Sequence, residues 1–488
     1  MKRASIVFGT NFSIRVKAGL PILIFIFFSF MQRISCLAQG YRIDVALGSN
    51  PRESVFMGYY FNGKTYVKDS ASVLANGSYT FQGSESLDKG MYFIADGSTL
   101  LFDFLVGLDQ QFEFQLAEGS FSELKVIGDE ENKLFFESIR FNSQRKKEVT
   151  PLLTMIKDST LSKSEKQNAQ RKIASINQQV ANYQERIILQ YPESILATLF
   201  KSQRKVVLPS DLVGQQGQDS QRKKLYYYKN HFWDDFDLGD PVLLRLAGTV
   251  YKDKVDEYLD QLIVPVQDSL KIAVDYLIEK AKAEQDTYQY LVWHLTTKYQ
   301  SSKIMGMEEI YVHLVDTYFE TGEMDFWANE KLKENLLEKA DQYRNSLVGM
   351  IAPNLILQGP EGQPKALHDL PNKYTVVYFY DPDCGHCKKE TPVLKSFYDA
   401  TRYDVGIYTV SADTSTSKMK KYIDKMELGK WVNTNGTRTY SISYQKVYDA
   451  FTTPTIYLLN GRKEIIAKKI AASQLEEVLE NYEKRKRK

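Results

Sequence analysis

The spacing of hydrophobic positions changes character twice along the chain. From residue 40 to about 128 the period is two. Tyr41, Ile43, Val45 and Leu47 alternate with Arg42, Asp44 and Ala46, and Phe112, Phe114 and Leu116 alternate with Glu113 and Gln115. Alternation of this kind predicts half-buried strands. Asn62-Gly63, Asn76-Gly77 and Asp96-Gly97 interrupt the aromatic and β-branched runs, and such dipeptides supply the positive φ angles of tight hairpins. An N-terminal all-β unit, an antiparallel sandwich or barrel, is expected over residues 39–129.

From residue 130 to 347 the period is helical. Ile173, Ile176, Val180, Tyr183 and Ile187 recur at spacings of three and four, which places them along one helix face. Residues 208–221, with Pro209, Gly214 and Gly217, predict a loop dividing this all-α region. Further helices are expected through 255–259, 274–277 and 310–319. The aromatics here, including Phe232, Trp233, Trp293 and Trp327, suit either helix-core packing or the wall of a peptide groove.

Over residues 348–488 strands and helices alternate, the order of an α/β domain with a mixed sheet. Residues 375–380 and 405–410 predict buried strands, and residues 387–400, 417–428 and 443–451 predict helices. Residues 455–459 and 464–467 predict a hairpin around Asn460-Gly461. Ser473-Gln474-Leu475-Glu476 has the form of a capping box for the last helix.

A length of 488 residues suits this multidomain reading, at roughly 100–200 residues per domain. With 43% hydrophobic and 25% charged residues the chain is neither disordered nor a multi-span membrane protein. The balance of 63 Lys+Arg against 61 Asp+Glu argues against a protein built to grip nucleic acid. Three cysteines exclude a disulfide-rich scaffold and a zinc array.

The first cysteine falls in a targeting segment. Lys2, Arg3, Arg15 and Lys17 precede an apolar run over 18–31, too short for a membrane span of about 20 residues. Cys36-Leu37-Ala38 offers small residues for cleavage after Ala38, so residues 1–38 are expected to be a signal peptide. A rival reading lipidates Cys36, which would attach the chain to a membrane, although Arg33 stands where an aliphatic residue is wanted. Loss of residues 1–38 removes five basic residues and no acidic one, leaving a net charge of −3. A periplasmic or cell-envelope location follows, and Cys384 and Cys387 become the remaining thiols.

Those two lie in Cys384-Gly385-His386-Cys387, directly after a predicted strand and at the start of a predicted helix. The free N–H groups and dipole of a helix start favour a thiolate on the first cysteine. Cys384 is therefore the expected nucleophile, and Cys387 the resolving thiol that displaces substrate from a mixed disulfide. Zinc would need further ligands, and His231, His294, His313 and His368 show no paired spacing, so no metal and no cofactor are expected. A structural disulfide across so small a ring would stabilise little.

Residues 350–488 resemble a thioredoxin-fold domain of the TlpA/ResA-like thiol-disulfide oxidoreductases. Ala352-Pro353-Asn354 is similar to that family's opening tripeptide, and Cys384 to Pro392 to its active-site helix, with Pro392 at the kink. Thr453-Pro454-Thr455 resembles its cis-proline loop, which implies substrate binding by Thr453 and Pro454 through backbone pairing. Glu390 matches a glutamate near the cysteine pair and would take the resolving thiol's proton; a solvated first-turn glutamate is the alternative.

Two positions depart from typical thioredoxins. Tyr378 stands near the place of their buried aspartate. Asp383 replaces a tryptophan and, with Asp381, is expected to oppose thiolate formation. A charged His386 would act in the opposite sense. Gly385 and His386 form the dipeptide of protein disulfide isomerase, whose potential of about −180 mV is less reducing than thioredoxin's, about −270 mV.

Residues 41–345 resemble paired N-terminal domains of unknown function in exported proteins of Gram-negative bacteria, with His231 to Asp237 similar to a recurrent element there. The expected activity is reduction or isomerisation of disulfides in exported proteins, with a separate, unidentified redox partner. A binding or assembly protein with an auxiliary thioredoxin-like domain is the alternative. A thiol peroxidase would need threonine where Asp381 stands. The basic tail at 484–488 suits a solvated end or contact with anionic lipid.

Overall fold

In the computed structural model the described residues are 40–48, 52–116, 119–302 and 304–486, so the expected signal segment and Cys36 lie outside them. The first part of the chain forms β1 (Arg42–Ala46), β2 (Ser54–Phe61), β3 (Lys64–Ser72), β4 (Ser78–Gln82), β5 (Gly90–Asp96), β6 (Thr99–Val106), β7 (Gln111–Gln115) and β8 (Lys125–Ile127). They make two sheets, ordered β4-β1-β7-β8 and β3-β2-β5-β6. Neighbouring strands are antiparallel except β1 and β7, which run parallel.

Two of the three expected hairpins form. Asn62 and Gly63 both take positive φ and close Phe61 against Lys64, and the turn at Asp96-Gly97 joins β5 to β6. Asn76-Gly77 instead carries the chain from one sheet to the other, because β4 pairs with β1 rather than with β3. That pairing sets Tyr79 beside Val45 and Phe81 beside Ile43, all four fully buried. Burial of this apolar set outweighs the local preference for a hairpin.

The helical region comprises α1 (Glu130–Lys157), α2 (Lys163–Gln190), α3 (Ile195–Ser202), α4 (Gln218–Asn230), α5 (Val250–Glu257), α6 (Gln267–Ala281), α7 (Gln285–Gln300), α8 (Glu308–Leu314) and α9 (Glu330–Arg344). Asp129 caps α1, and buried Asn132 in its first turn exchanges two hydrogen bonds with Leu105 of β6, at 2.8 and 2.7 Å. Phe104 and Phe114 of the sheets and Phe136 of α1 meet edge to face nearby. One apolar core consequently runs from the sheets through the helices, from Tyr41 to Tyr343. Phe232, Trp233, Trp293 and Trp327 pack into or against that core.

Local departures have local causes. The loop expected over 208–221 ends at Gly217, where α4 starts. The helix expected through 319 widens after Leu314 into a π-helical segment, Val315–Glu320. The wider turn lets His313 and Tyr318, five residues apart, both reach Asp275.

The last part contains β9 (Ile356–Gln358), β10 (Pro364–Ala366), β11 (Tyr374–Tyr380), β12 (Val405–Ser411), β13 (Val432–Thr439), β14 (Thr455–Asn460) and β15 (Ile465–Lys468). Around them lie α10 (Gly385–Ala400), α11 (Thr416–Met426), α12 (Tyr444–Val447) and α13 (Leu475–Lys486). The sheet order is β10-β9-β13-β12-β11-β14-β15, with β11, β12 and β13 parallel and the other pairs antiparallel. Every residue of β11 is buried, because alternate side chains feed two cores. Tyr374, Val376, Tyr378 and Tyr380 face α10, α11 and α13, while Val377 and Phe379 face α12.

Three expectations in this part need correction. The helix expected over 443–451 stops at Val447, because Tyr448 turns into the core and its hydroxyl donates to the Pro353 carbonyl at 2.6 Å. At Asn460-Gly461 the positive φ falls on Lys463, not on Gly461. There the Asn460 side chain accepts from the Arg462 and Glu464 amides and sets a longer turn. The expected capping box at Ser473 does not form: the Gln474 side chain accepts from the amide of Ala471, which has no side-chain acceptor to return the bond, and Glu476 accepts from Thr401.

A buried ion pair joins the helical region to this sheet. Lys468 of β15, 1% exposed, pairs with Glu308 of α8 and donates to the Ser346 carbonyl at 2.8 Å. Removing one partner of such a pair leaves an uncompensated charge. Glu308→Ala is expected to cost about 3–5 kcal/mol in urea unfolding. Glu334→Ala, which breaks the exposed pair with Lys331, is expected to cost at most about 1 kcal/mol.

Candidate active site

The chain leaves the buried strand β11 at Tyr380, turns through Asp381-Pro382-Asp383, and enters α10 with Cys384 as its N-cap. The turn is closed by the Cys384 amide, which donates to the Asp381 carbonyl at 3.1 Å. Position then decides chemistry. The Cys384 sulfur accepts from the Cys387 amide at 3.4 Å and donates to the Thr453 carbonyl at 3.3 Å. Thr453-Pro454 is a cis peptide, so the two segments singled out in the sequence meet at one sulfur.

The two thiols differ sharply. Cys384 is half-buried and Cys387 fully buried. Burial opposes ionisation of Cys384, yet hydrogen bonds from the Cys387 and His386 backbone outweigh it and hold the thiol below its ordinary value. Burial pushes the Cys387 thiol up to about 11.

Behind Cys387 lies a chain of hydroxyls that sequence reasoning missed. Tyr378 and Thr391 are hydrogen-bonded at 2.9 Å, and Thr391 and Tyr422 at 2.7 Å. The Tyr422 hydroxyl also meets the Cys387 carbonyl at 3.2 Å. The three side chains come from β11, α10 and α11, so only the tertiary packing of these elements brings them together. Neutral groups thus fill the region near Tyr378 where a typical thioredoxin carries a carboxylate.

The other expected residues have distinct placements. His386 is exposed, and its backbone amide rather than its ring is the group directed at Cys384. Gly385 is exposed, and a Cβ there would meet no atom. Glu390 accepts from the Ala472 amide and, with Pro454, Lys469 and Ile470, lines a cavity of about 320 Å³; neither thiol is among its hydrogen-bond partners. Asp383 does not act on the thiol as expected. It points to Lys418, whose ammonium lies 2.7 Å from it and 3.2 Å from Asp413 and offsets the charge. Asp381, Asp383 and Asp413 lie close enough to share an ion, but Lys418 already holds two of them.

Residues 348–468 match the AhpC/TSA family, and residues 162–342 match a domain of unknown function, DUF5106. The sporulation thiol-disulfide oxidoreductase A of Bacillus subtilis is 32% identical over 120 residues, 23% of this chain and 68% of that protein. The chain belongs to the thiol-disulfide oxidoreductases. This oxidoreductase is also 28% identical to thiol-disulfide oxidoreductase ResA of Bacillus cereus, over 28% of its own length and 76% of ResA. A solved domain of a possible thiol-disulfide isomerase from Cytophaga hutchinsonii is 31% identical, covering 29% of this chain and 96% of that one, with a TM-score of 0.27. No helix of the described residues is long and apolar enough to cross a membrane.

The order of the thiols predicts their alkylation. In the reduced oxidoreductase, iodoacetamide is expected to modify Cys384 with a midpoint below the ordinary thiol value of 9.0, and Cys387 only as the pH approaches about 11. Because the raised thiol is protonated in the fold but ionises earlier in the unfolded chain, stability falls as pH rises from about 9 to about 11.

Proposed function

We propose that this oxidoreductase is exported to the cell envelope and reduces or isomerises disulfides of exported proteins through Cys384 and Cys387. The observation that carries the reading is the unequal pair: a half-buried Cys384 at the helix N-cap, its sulfur receiving the Cys387 amide, in front of a fully buried Cys387. The pattern of residues 1–38 supports export.

In this mechanism the Cys384 thiolate attacks one sulfur of a substrate disulfide. A mixed disulfide forms, and the first substrate sulfur leaves as a thiolate that takes a proton from solvent. The substrate backbone pairs with the loop at Thr453 and Pro454, which holds its sulfur in line with Cys384. Cys387 then attacks the Cys384 sulfur, and the second substrate sulfur leaves as a thiolate that takes up the proton Cys387 gives up. The substrate gains two electrons and the enzyme ends as the Cys384–Cys387 disulfide, which an external dithiol partner reduces. If a substrate thiol attacks the mixed disulfide first, the substrate is isomerised and the enzyme leaves as a dithiol.

Reduction of insulin disulfides by the whole chain with a dithiol reductant tests the reading. Cys384→Ser is expected to remove the catalysed rate, and Cys387→Ala to accumulate a mixed disulfide with a single substrate chain. A Cys384→Ser variant that reduces insulin as fast as the parent would overturn it.

A further inference from the structure

The segment leading into the proposed substrate loop is held from outside its own domain. Asp449 lies five residues before Pro454, and its side chain is only 7% exposed. One carboxylate oxygen receives Lys339 of α9 at 2.9 Å, and the other receives Lys469, the residue after β15. The backbone amide of Asp449 donates to the Tyr457 hydroxyl at 3.1 Å. Two residues on, Phe451 is 57% exposed, and the same Lys339 ammonium lies 5.2 Å from its ring centre. Lys469 in turn lines the cavity beside Pro454 and Glu390.

Lysine 339 reaches this carboxylate from a fixed base. Its helix carries Tyr343, whose ring lies under the Lys339, Lys468 and Lys469 ammonium groups, and Lys468 is itself anchored on Glu308. A buried carboxylate between two lysines adds little net stability compared with an apolar filling. What it does fix is distance, and the distance here is between the helical region and segment 449–453.

We propose that Lys339 is a positioning residue for the thiol exchange: through Asp449 the helical region holds segment 449–453 so that Thr453 and Pro454 stay presented beside Cys384 for a polypeptide substrate. The proposal rests on the substrate role given above to Thr453 and Pro454. A polypeptide disulfide needs backbone pairing at that loop. A small aromatic disulfide needs only the Cys384 sulfur. The two substrates should therefore respond differently when the clamp is released.

The experiment compares the whole-chain parent with Lys339→Met and Lys339→Arg, using insulin and 5,5′-dithiobis(2-nitrobenzoate). Lys339→Met is expected to raise KM for insulin roughly 5-fold or more, with kcat and the rate with the small disulfide changed less than about 2-fold. Lys339→Arg is expected to restore the parent KM, since it keeps the charge. Equal losses with both substrates would reveal a structural role and overturn the proposal, as would an unchanged insulin KM. If instead the parent itself does not reduce insulin, the underlying functional reading fails, and the two failures are told apart by the parent alone.

Discussion

A backbone amide pointing at a sulfur is the constraint on which the chemistry depends. Cys384 can cap α10 only because β11 delivers the chain to its edge and Asp381 closes the turn. Once there, its sulfur takes the place of the oxygen that a serine or aspartate cap would offer and receives the Cys387 amide. The same turn of helix drives Cys387 into the core beside Leu394. Charge is thereby stabilised on one thiol and penalised on the other, and direction of attack follows from position alone.

The surroundings leave this inequality standing. Tyr378, Thr391 and Tyr422 satisfy one another's hydroxyls behind Cys387, where burial is the main cause that raises the resolving thiol. On the outer side, the negative charge of Asp383 is turned toward Lys418 and away from Cys384. The ordering of the two thiols therefore rests on burial and amide hydrogen bonds, both of which are fixed by the fold.

What was legible in the sequence was local. The strand at 375–380, the C-x-x-C helix start and the Asn62-Gly63 turn depend on neighbours a few residues away, and each formed as expected. Pairings that depend on distant residues were not legible. Nothing near Asp383 announces Lys418, and nothing near Asp449 announces Lys339, 110 residues earlier. The turn at Asn460 went astray for a related reason: side-chain hydrogen bonding from Asn460 overrode the preference of its glycine. Resemblance to a known loop singles out Thr453 and Pro454, and the contact of the Thr453 carbonyl with Cys384 is visible only in three dimensions.

The pH dependence of the reduction potential of the Cys384/Cys387 pair tests the unequal thiols most directly. Each proton taken up with the two electrons contributes about 30 mV per pH unit. The account predicts a slope near 60 mV at low pH that halves below the ordinary thiol value of 9.0 and stays halved until about 11. A slope that remains near 60 mV per unit to beyond pH 9 would mean that neither thiol ionises early, and would contradict it.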